Sequence, residues 1–428
     1  MTDAITDIDT LVVGAGQAGI AMSEHLSALN IPHLVVEKNR IAEAWRSGRW
    51  DSLVANGPAW HDRFPGMRFD ADPDSFIPKE GVADYFARYA EKFNAPVRTG
   101  VTVQRVTRNA GRAGFTVETS AGAFQAQRVV AASGPFHRPL IPAIAPTSDV
   151  IHQLHSADYK NPQQLPEGAV LVVGAGSSGV QIADELQRAG RQVWLSVGPH
   201  DRPPRAYRGR DYCWWLGVLG LWDAATKEPH KEHVTIAVSG ARGGETIDFR
   251  RLAHQGIRLT GVTRQFKDGN VQFADDLQEN IRLGDENYLS VLAAADEWIA
   301  NNGADLPEEP EARRFAADPE CLLNPVRELN LADEGIHTII WATGYATDYS
   351  WLGVNCFDEQ QRPVHHRGVA KEPGIYFLGL PWLSRRGSTF IWGVWHDAKY
   401  IADQIAIQRN YAAYKTNDGI PLNAHQLG

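Results

Sequence analysis

A chain of 428 residues, 43% hydrophobic and 22% charged, has the composition of a globular protein with material for two or three cores. Its formal net charge of −9 argues against bulk nucleic-acid binding, which favours basic surfaces. Cys213, Cys321 and Cys356 stand far apart and offer neither a CxxC pair nor a disulfide framework, so a cytoplasmic setting is expected.

The polar, acidic opening Met1–Thr10 lacks the order of a signal peptide, and no apolar run is long enough for a transmembrane helix. The first element to read is Thr10-Leu-Val-Val running into Gly14-Ala-Gly16-Gln17-Ala18-Gly19 and then a helical pattern. This is strand, tight glycine turn and helix. The first glycine permits the turn, the second lets a pyrophosphate approach the backbone, and the third lets helix pack on strand. The free amides of the helix start then face the phosphates. The next strand, His33–Glu37, ends in an acid about 20 residues on, where ribose hydroxyls are gripped. An acid there repels a 2′-phosphate and suits FAD or NAD.

Arg128–Gly134 reads as a strand leaving this unit. A second copy follows: Ala169-Val-Leu-Val-Val, then Gly174-Ala-Gly176-Ser177-Ser178-Gly179 and a helix. Its next strand, Gln192–Ser196, carries no terminal acid, and Arg202, Arg205, Arg208 and Arg210 come after it. A 2′-phosphate is favoured there, with Ser196 and one of these arginines, Arg202 the first of them, as candidate ligands. A solvated basic loop is the plain alternative. Tyr212–Ala225 is the most apolar stretch, too short to span a bilayer. It reads as a core or pocket-wall helix, with a membrane-facing patch or a substrate entrance as alternatives. Asn287–Asn302 reads as an amphipathic helix before the acidic, proline-rich 307–311 turn. Thr338–Tyr345 reads as the return strand, and about Asp397–Tyr411 as a last helix whose amino end faces the flavin's pyrimidine edge.

Two dinucleotide sites on one chain suit a resident flavin and a hydride donor, FAD and NADPH. The expected fold is α/β with two nested Rossmann-like dinucleotide-binding domains. An FAD domain, 1–163 and 327–428, is interrupted by an NADP domain, 164–326.

The two glycine motifs, Trp45, Trp50-Asp-Ser-Leu53, Asn56-Gly-Pro58, Ala342-Thr343-Gly344-Tyr345 and Gly393-Val-Trp-His-Asp-Ala398 together resemble the class B flavin-containing monooxygenases, including the plant auxin-forming and bacterial amine-oxidising branches. The resemblance runs from Asp9 to about Ile407. Of that family's FxGxxxHxxxY/W fingerprint, His155 and Tyr159 are in place, while Asp149 and Ile151 occupy the Phe and Gly positions. The resemblance implies that NADPH reduces FAD, that O2 forms a C4a-(hydro)peroxyflavin, and that one oxygen atom passes to a small organic substrate. The transfer is N- or S-oxygenation, oxidative decarboxylation or Baeyer–Villiger chemistry. Asn56 matches the asparagine placed beside the flavin and is the candidate catalytic residue; a turn-capping Asn-Gly is the alternative. Further cofactor contacts are expected at Lys38, Trp45, Val103, Thr343, Gly344 and Ile391.

Trp60, Trp382, Trp392 and Trp395 are candidate pocket walls or plain core, and the 207–222 tryptophans suggest an aromatic or apolar substrate. Arg386 is a candidate for attracting an anion. His155 and His396 are candidate proton carriers, though a packed histidine is commoner. His61-Asp62 and His365-His366 lack metal-like partners, so no metal is inferred. A homodimer is the default expectation. The competing readings are a two-dinucleotide flavin reductase without oxygen transfer, which needs a dithiol, and a sensor that binds nucleotides without turnover.

Overall fold

Residues 6–225 and 235–414 are described in a computed structural model. Continuous valine-rich runs build two sheets, because strands covered on both faces need no polar alternation. In the first unit β1 (Thr6–Val13), β2 (His33–Glu37) and β3 (Val97–Thr99) pair in parallel. On the other side of β1 lies β6 (Gly122–Ala131), also parallel. An antiparallel meander follows from β6 through β5 (Phe115–Thr119) to β4 (Val103–Arg108). The far half of β6 pairs with the returning strand Ile375–Phe377. Helices α1 (Gln17–Ala28), α2 (Lys79–Lys92) and α6 (Ile391–Ala413) cover this sheet, with α1 packed along α6.

The second unit is a five-stranded parallel sheet in the order β10 (Arg258–Thr260), β9 (Val193–Ser196), β8 (Ala169–Val173), β11 (Ile336–Trp341), β7 (His152–His155). All five residues of β8 are buried. Val170 and Val172 face the core under α3 (Ser177–Arg188), while Ala169, Leu171 and Val173 face Val271, Phe273 and Leu329. By strand pairing this unit takes in β7 and β11, so it is wider at both ends than the expected 164–326. Of Thr338–Tyr345, Thr338–Trp341 lie in the second sheet as part of β11 rather than in the first. Local pattern gave no warning, because a buried parallel strand reads alike in either sheet.

Three local expectations shift. The helix expected from Asn287 starts at Leu277 (α5, Leu277–Asn302). Its first turns bury Asn280 and Asp285, polar residues that break the apolar stripe. The last helix, α6, begins at Ile391, ahead of Asp397. The apolar stretch makes a short helix, α4 (Tyr212–Val218), followed by a tight turn at Leu221–Asp223. None of the described helices is long and apolar enough to cross a membrane.

Candidate functional site

The two glycine turns have the same backbone. Gly14 and Gly174 both take φ +106°, a conformation open to glycine. Gly14 N–H donates to Val36 C=O at 2.8 Å, and Gly174 N–H to Ser196 C=O at 3.1 Å. A Cβ on Gly19 or Gly179 would lie 1.8 Å from the carbonyl oxygen of Gly14 or Gly174, so both third glycines are demanded by helix–strand contact. The helices start alike, with Gly16 and Gly176 extended just before α1 and α3.

The middle glycines differ. Around Gly16 a Cβ would meet nothing within 4 Å, so a cradle of the kind a pyrophosphate needs stands open in front of α1. At Gly176 a Cβ would meet Thr235 Cγ2 at 3.0 Å. There Ser177 Oγ donates to Ile236 C=O at 2.7 Å. The mouth of the second cradle is therefore shared with Thr235 and Ile236. Glu37 lies at the first cradle, where one carboxylate oxygen accepts from Ala15 N–H at 2.9 Å and the other from Asn39 N–H at 2.8 Å. Gln17, at the start of α1, donates to Thr389 C=O at 2.7 Å and ties the turn to the segment before α6. Ala18 is buried beneath it, Ile391 is buried at the start of α6, Trp45 packs between the two cores, and Lys38 is exposed. Val103 opens β4 and packs on the first core.

The end of β9 differs from the expectation for Ser196. The backbone equivalence of Val36 and Ser196 makes Val197 the counterpart of Glu37, and Val197 is fully buried. Ser196 is itself buried; its Oγ donates to Gly261 C=O at 2.9 Å and accepts from Thr263 N–H at 3.0 Å. Arg202 is buried too, with Nη2 and Nε on Asp285 Oδ1 at 2.6 and 3.0 Å and its guanidinium over Tyr288 and Phe315. Neither residue, as placed, turns toward the cradle. Arg205 serves Asp211 and Asn56, Arg208 serves Asp296, and Arg210 lies over Trp214. Of the charges that read as a basic loop, Arg202 and Arg208 are spent on acids distant in sequence and Arg205 on one six residues away. Thr343 and Gly344 follow β11, where Ala342 C=O packs on Gly174; Thr343 Oγ1 and Gly344 C=O bond to Leu140, beside the second cradle rather than the first.

Asn56 lies where the two units meet. Its Oδ1 accepts from Gln181 Nε2 on α3 at 3.1 Å, and its backbone carbonyl accepts from Arg205 Nη1 at 2.5 Å. The next peptide, Gly57 N–H, donates to Asp62 Oδ2 at 3.0 Å. Asp62 Oδ1 pairs with His61 Nδ1 at 2.8 Å. His61 stacks on Trp222 at 4.9 Å and faces Trp392 at 6.0 Å, with Trp60 edge-on at 5.4 Å. Its Nε2 is buried without a partner. Trp60, Trp222 and Trp392 thus converge. Trp395 is committed to Glu24 and His25, Trp382 lies against Arg386, and Trp214 packs on Trp215 and Trp298 under α5.

Both fingerprint residues are hydrogen-bonded within the protein. His155 is buried, bonds to Gly344 C=O at 2.9 Å, and burial lowers its pKa. Tyr159 OH donates to Glu185 Oε2 at 2.7 Å, pinning the connection to α3. His396 is also held below its ordinary pKa by burial and by Arg385. A cavity of about 260 Å³ opens beside α3, where Val180 and Gln181 line it; of its other lining residues, Asp184 pairs with Arg188 and Arg242. Gln181, Arg205 and Asp62 are the contacts that the sequence reading missed. Gln181 and Arg205 meet Asn56 only through folding, whereas Asp62 reaches Gly57 across five residues.

Residues 11–207 match the family model described as pyridine nucleotide-disulphide oxidoreductase. An uncharacterized CzcO-like oxidoreductase of Geobacillus kaustophilus is 35% identical over 93% of this chain and 98% of its own length. The probable indole-3-pyruvate monooxygenase YUCCA4 of Arabidopsis thaliana is 26% identical over 93% of this chain and 90% of its own. Among solved structures, a flavin-containing monooxygenase from Stenotrophomonas maltophilia superposes with a TM-score of 0.65 at 20% identity, covering 94% of this chain and 99% of that one. This last likeness is one of fold.

Proposed function

The chain belongs with the CzcO-like oxidoreductases, and we propose that it works as a class B flavin-containing monooxygenase with flavin and nicotinamide cofactors. The first cradle would hold FAD and the second would hold NADPH as hydride donor, for transfer of one atom of O2 to a small aromatic or apolar substrate. The observation that carries this reading is the open space at Gly16 in a turn whose other glycines are tightly packed. A closed turn would need no such space.

Bound FAD supplies the carrier that accepts a hydride and reacts with O2. The chain does the rest. The amides at the start of α1 receive the pyrophosphate, and Glu37 takes the ribose hydroxyls. Asn56, with its Oδ1 engaged by Gln181, offers Nδ2–H as the donor in the reaction space. Trp60, Trp222, Trp392 and His61 form the apolar wall that keeps water away. Val197 replaces the acid that would repel a 2′-phosphate, which supports NADPH. The four following arginines are engaged elsewhere, so the preference over NADH is expected to be modest, about tenfold or less.

The test is to supply labelled dioxygen and NADPH with amines, sulfides, ketones and 2-oxo acids. One labelled oxygen per product and one NADPH per turnover support the reading; NADPH oxidation that never yields a labelled product overturns it. The matched family description favours a second reading, a reductase acting on disulfides. Against it, the three cysteines are free, and burial raises the Cys213 thiol well above its ordinary pKa, the wrong direction for a nucleophile.

A further inference from the structure

We infer that Gln181 is a positioning residue for Asn56: it sets which end of the asparagine amide faces the reaction space. The inference rests on the proposed role of Asn56 and deepens it. Oxygen and nitrogen of an amide are told apart only by their partners. Here the partners decide. Gln181 donates to Val238 C=O at 2.9 Å, and a backbone carbonyl can only accept, so the Gln181 atom at that point is Nε2. The same Nε2 reaches Asn56 at 3.1 Å with its second proton, so the Asn56 atom facing it is Oδ1. Asn56 Nδ2 is thereby turned the other way, with no partner among the described residues. Arg205 on the Asn56 carbonyl and Asp62 on the Gly57 N–H hold the backbone still while Gln181 sets the amide.

The path continues to the second cradle. Val238, whose carbonyl orients Gln181, also donates its N–H to Ser177 Oγ at 3.4 Å. Ser177 opens α3 directly after Gly176, so the donor offered by Asn56 is set by the segment that borders the second cradle. Gly240 makes the approach feasible, because a Cβ there would lie 2.1 Å from Ala55 C=O.

Two measurements on the full chain test this. In wild-type protein labelled with 15N at asparagine and glutamine side chains, with resonances assigned by Asn56→Asp and Gln181→Glu, the Gln181 NH2 protons should exchange slowly and those of Asn56 fast. The reverse order would mean that the amides are inverted, and the inference fails. In Gln181→Met and Gln181→Glu holoenzymes, FAD content, KM for NADPH and the rate of flavin reduction should match wild type. Product formed per NADPH should fall about tenfold, the scale of one lost hydrogen bond, with hydrogen peroxide making up the balance (NADPH + H⁺ + O2 giving NADP⁺ + H2O2). Unchanged product per NADPH in folded variants would overturn the inference. If the variants do not fold, the wild-type exchange order still decides it. Wild-type protein that yields no oxygenated product, with the exchange order as stated, would remove the monooxygenase reading and leave the amide geometry standing.

Discussion

His25 lies between α1 and α6, buried, with Nε2 bonded to Trp395 C=O at 3.0 Å and its ring edge-on to Trp395 at 4.4 Å. Burial lowers its pKa to about 4. The unfolded chain therefore binds a proton near pH 6.5 that the folded chain refuses, and folding stability drops as pH falls from there toward 4. The melting temperature should decline over that window, and His25→Gln, which can still donate to Trp395 C=O, should show a shallower decline. An identical slope in the variant would assign the loss to other groups, His33 and His155 first. The tryptophans divide in the same way. Trp392 faces His61 and Trp222, whereas Trp214 packs edge-on to Trp298 at 5.4 Å beneath α5. Trp392→Ala should raise the substrate KM about tenfold without moving that for NADPH, roughly the loss of one aromatic contact. Trp214→Ala should leave both KM values alone and cost about 3 kcal/mol of stability, measured by denaturant unfolding.

At the scale of the element, strand–turn–helix makes two different demands on its glycines. Gly19 is required by the fold, since a Cβ would enter the Gly14 carbonyl. Gly16 has an ordinary φ of −78° and free space around it, so the fold alone tolerates a side chain there. Gly16→Ala should yield protein with a wild-type melting temperature in the absence of FAD. Its FAD affinity should be weaker by at least about tenfold, or about 1.4 kcal/mol, read by titration of flavin fluorescence. Equal FAD affinity would show that the first turn holds no pyrophosphate. Gly19→Ala should fail to give folded protein under the same expression.

For the whole molecule, the two units are joined by polar contacts as well as packing. Ser52 Oγ donates to Glu185 at 2.6 Å, and Asn161 donates to Asp51 at 2.7 Å. This seam brings α3, which starts at the second glycine turn, to Asn56. The cysteines have no part in it: Cys213, Cys321 and Cys356 are unpaired, and burial pushes the Cys356 thiol up to about 12. Replacing all three with serine or alanine should leave flavin reduction by NADPH unchanged in stopped-flow absorbance. A large fall in that rate, with FAD still bound, would favour a thiol mechanism.

Both glycine turns were legible from residues alone, because their spacing answers to backbone sterics within one strand and one helix. The missing acid after the second strand was legible for the same reason. The partners of Arg202, Ser196 and Asn56 were not. Asp285, Thr263 and Gln181 reach them only after α5, β10 and α3 have packed, and no local pattern carries that information. Sheet membership of Thr338–Trp341 belongs with these. A buried parallel strand has the same sequence character in either sheet, and only its hydrogen-bonded neighbours, β8 and β7, decide which one it joins.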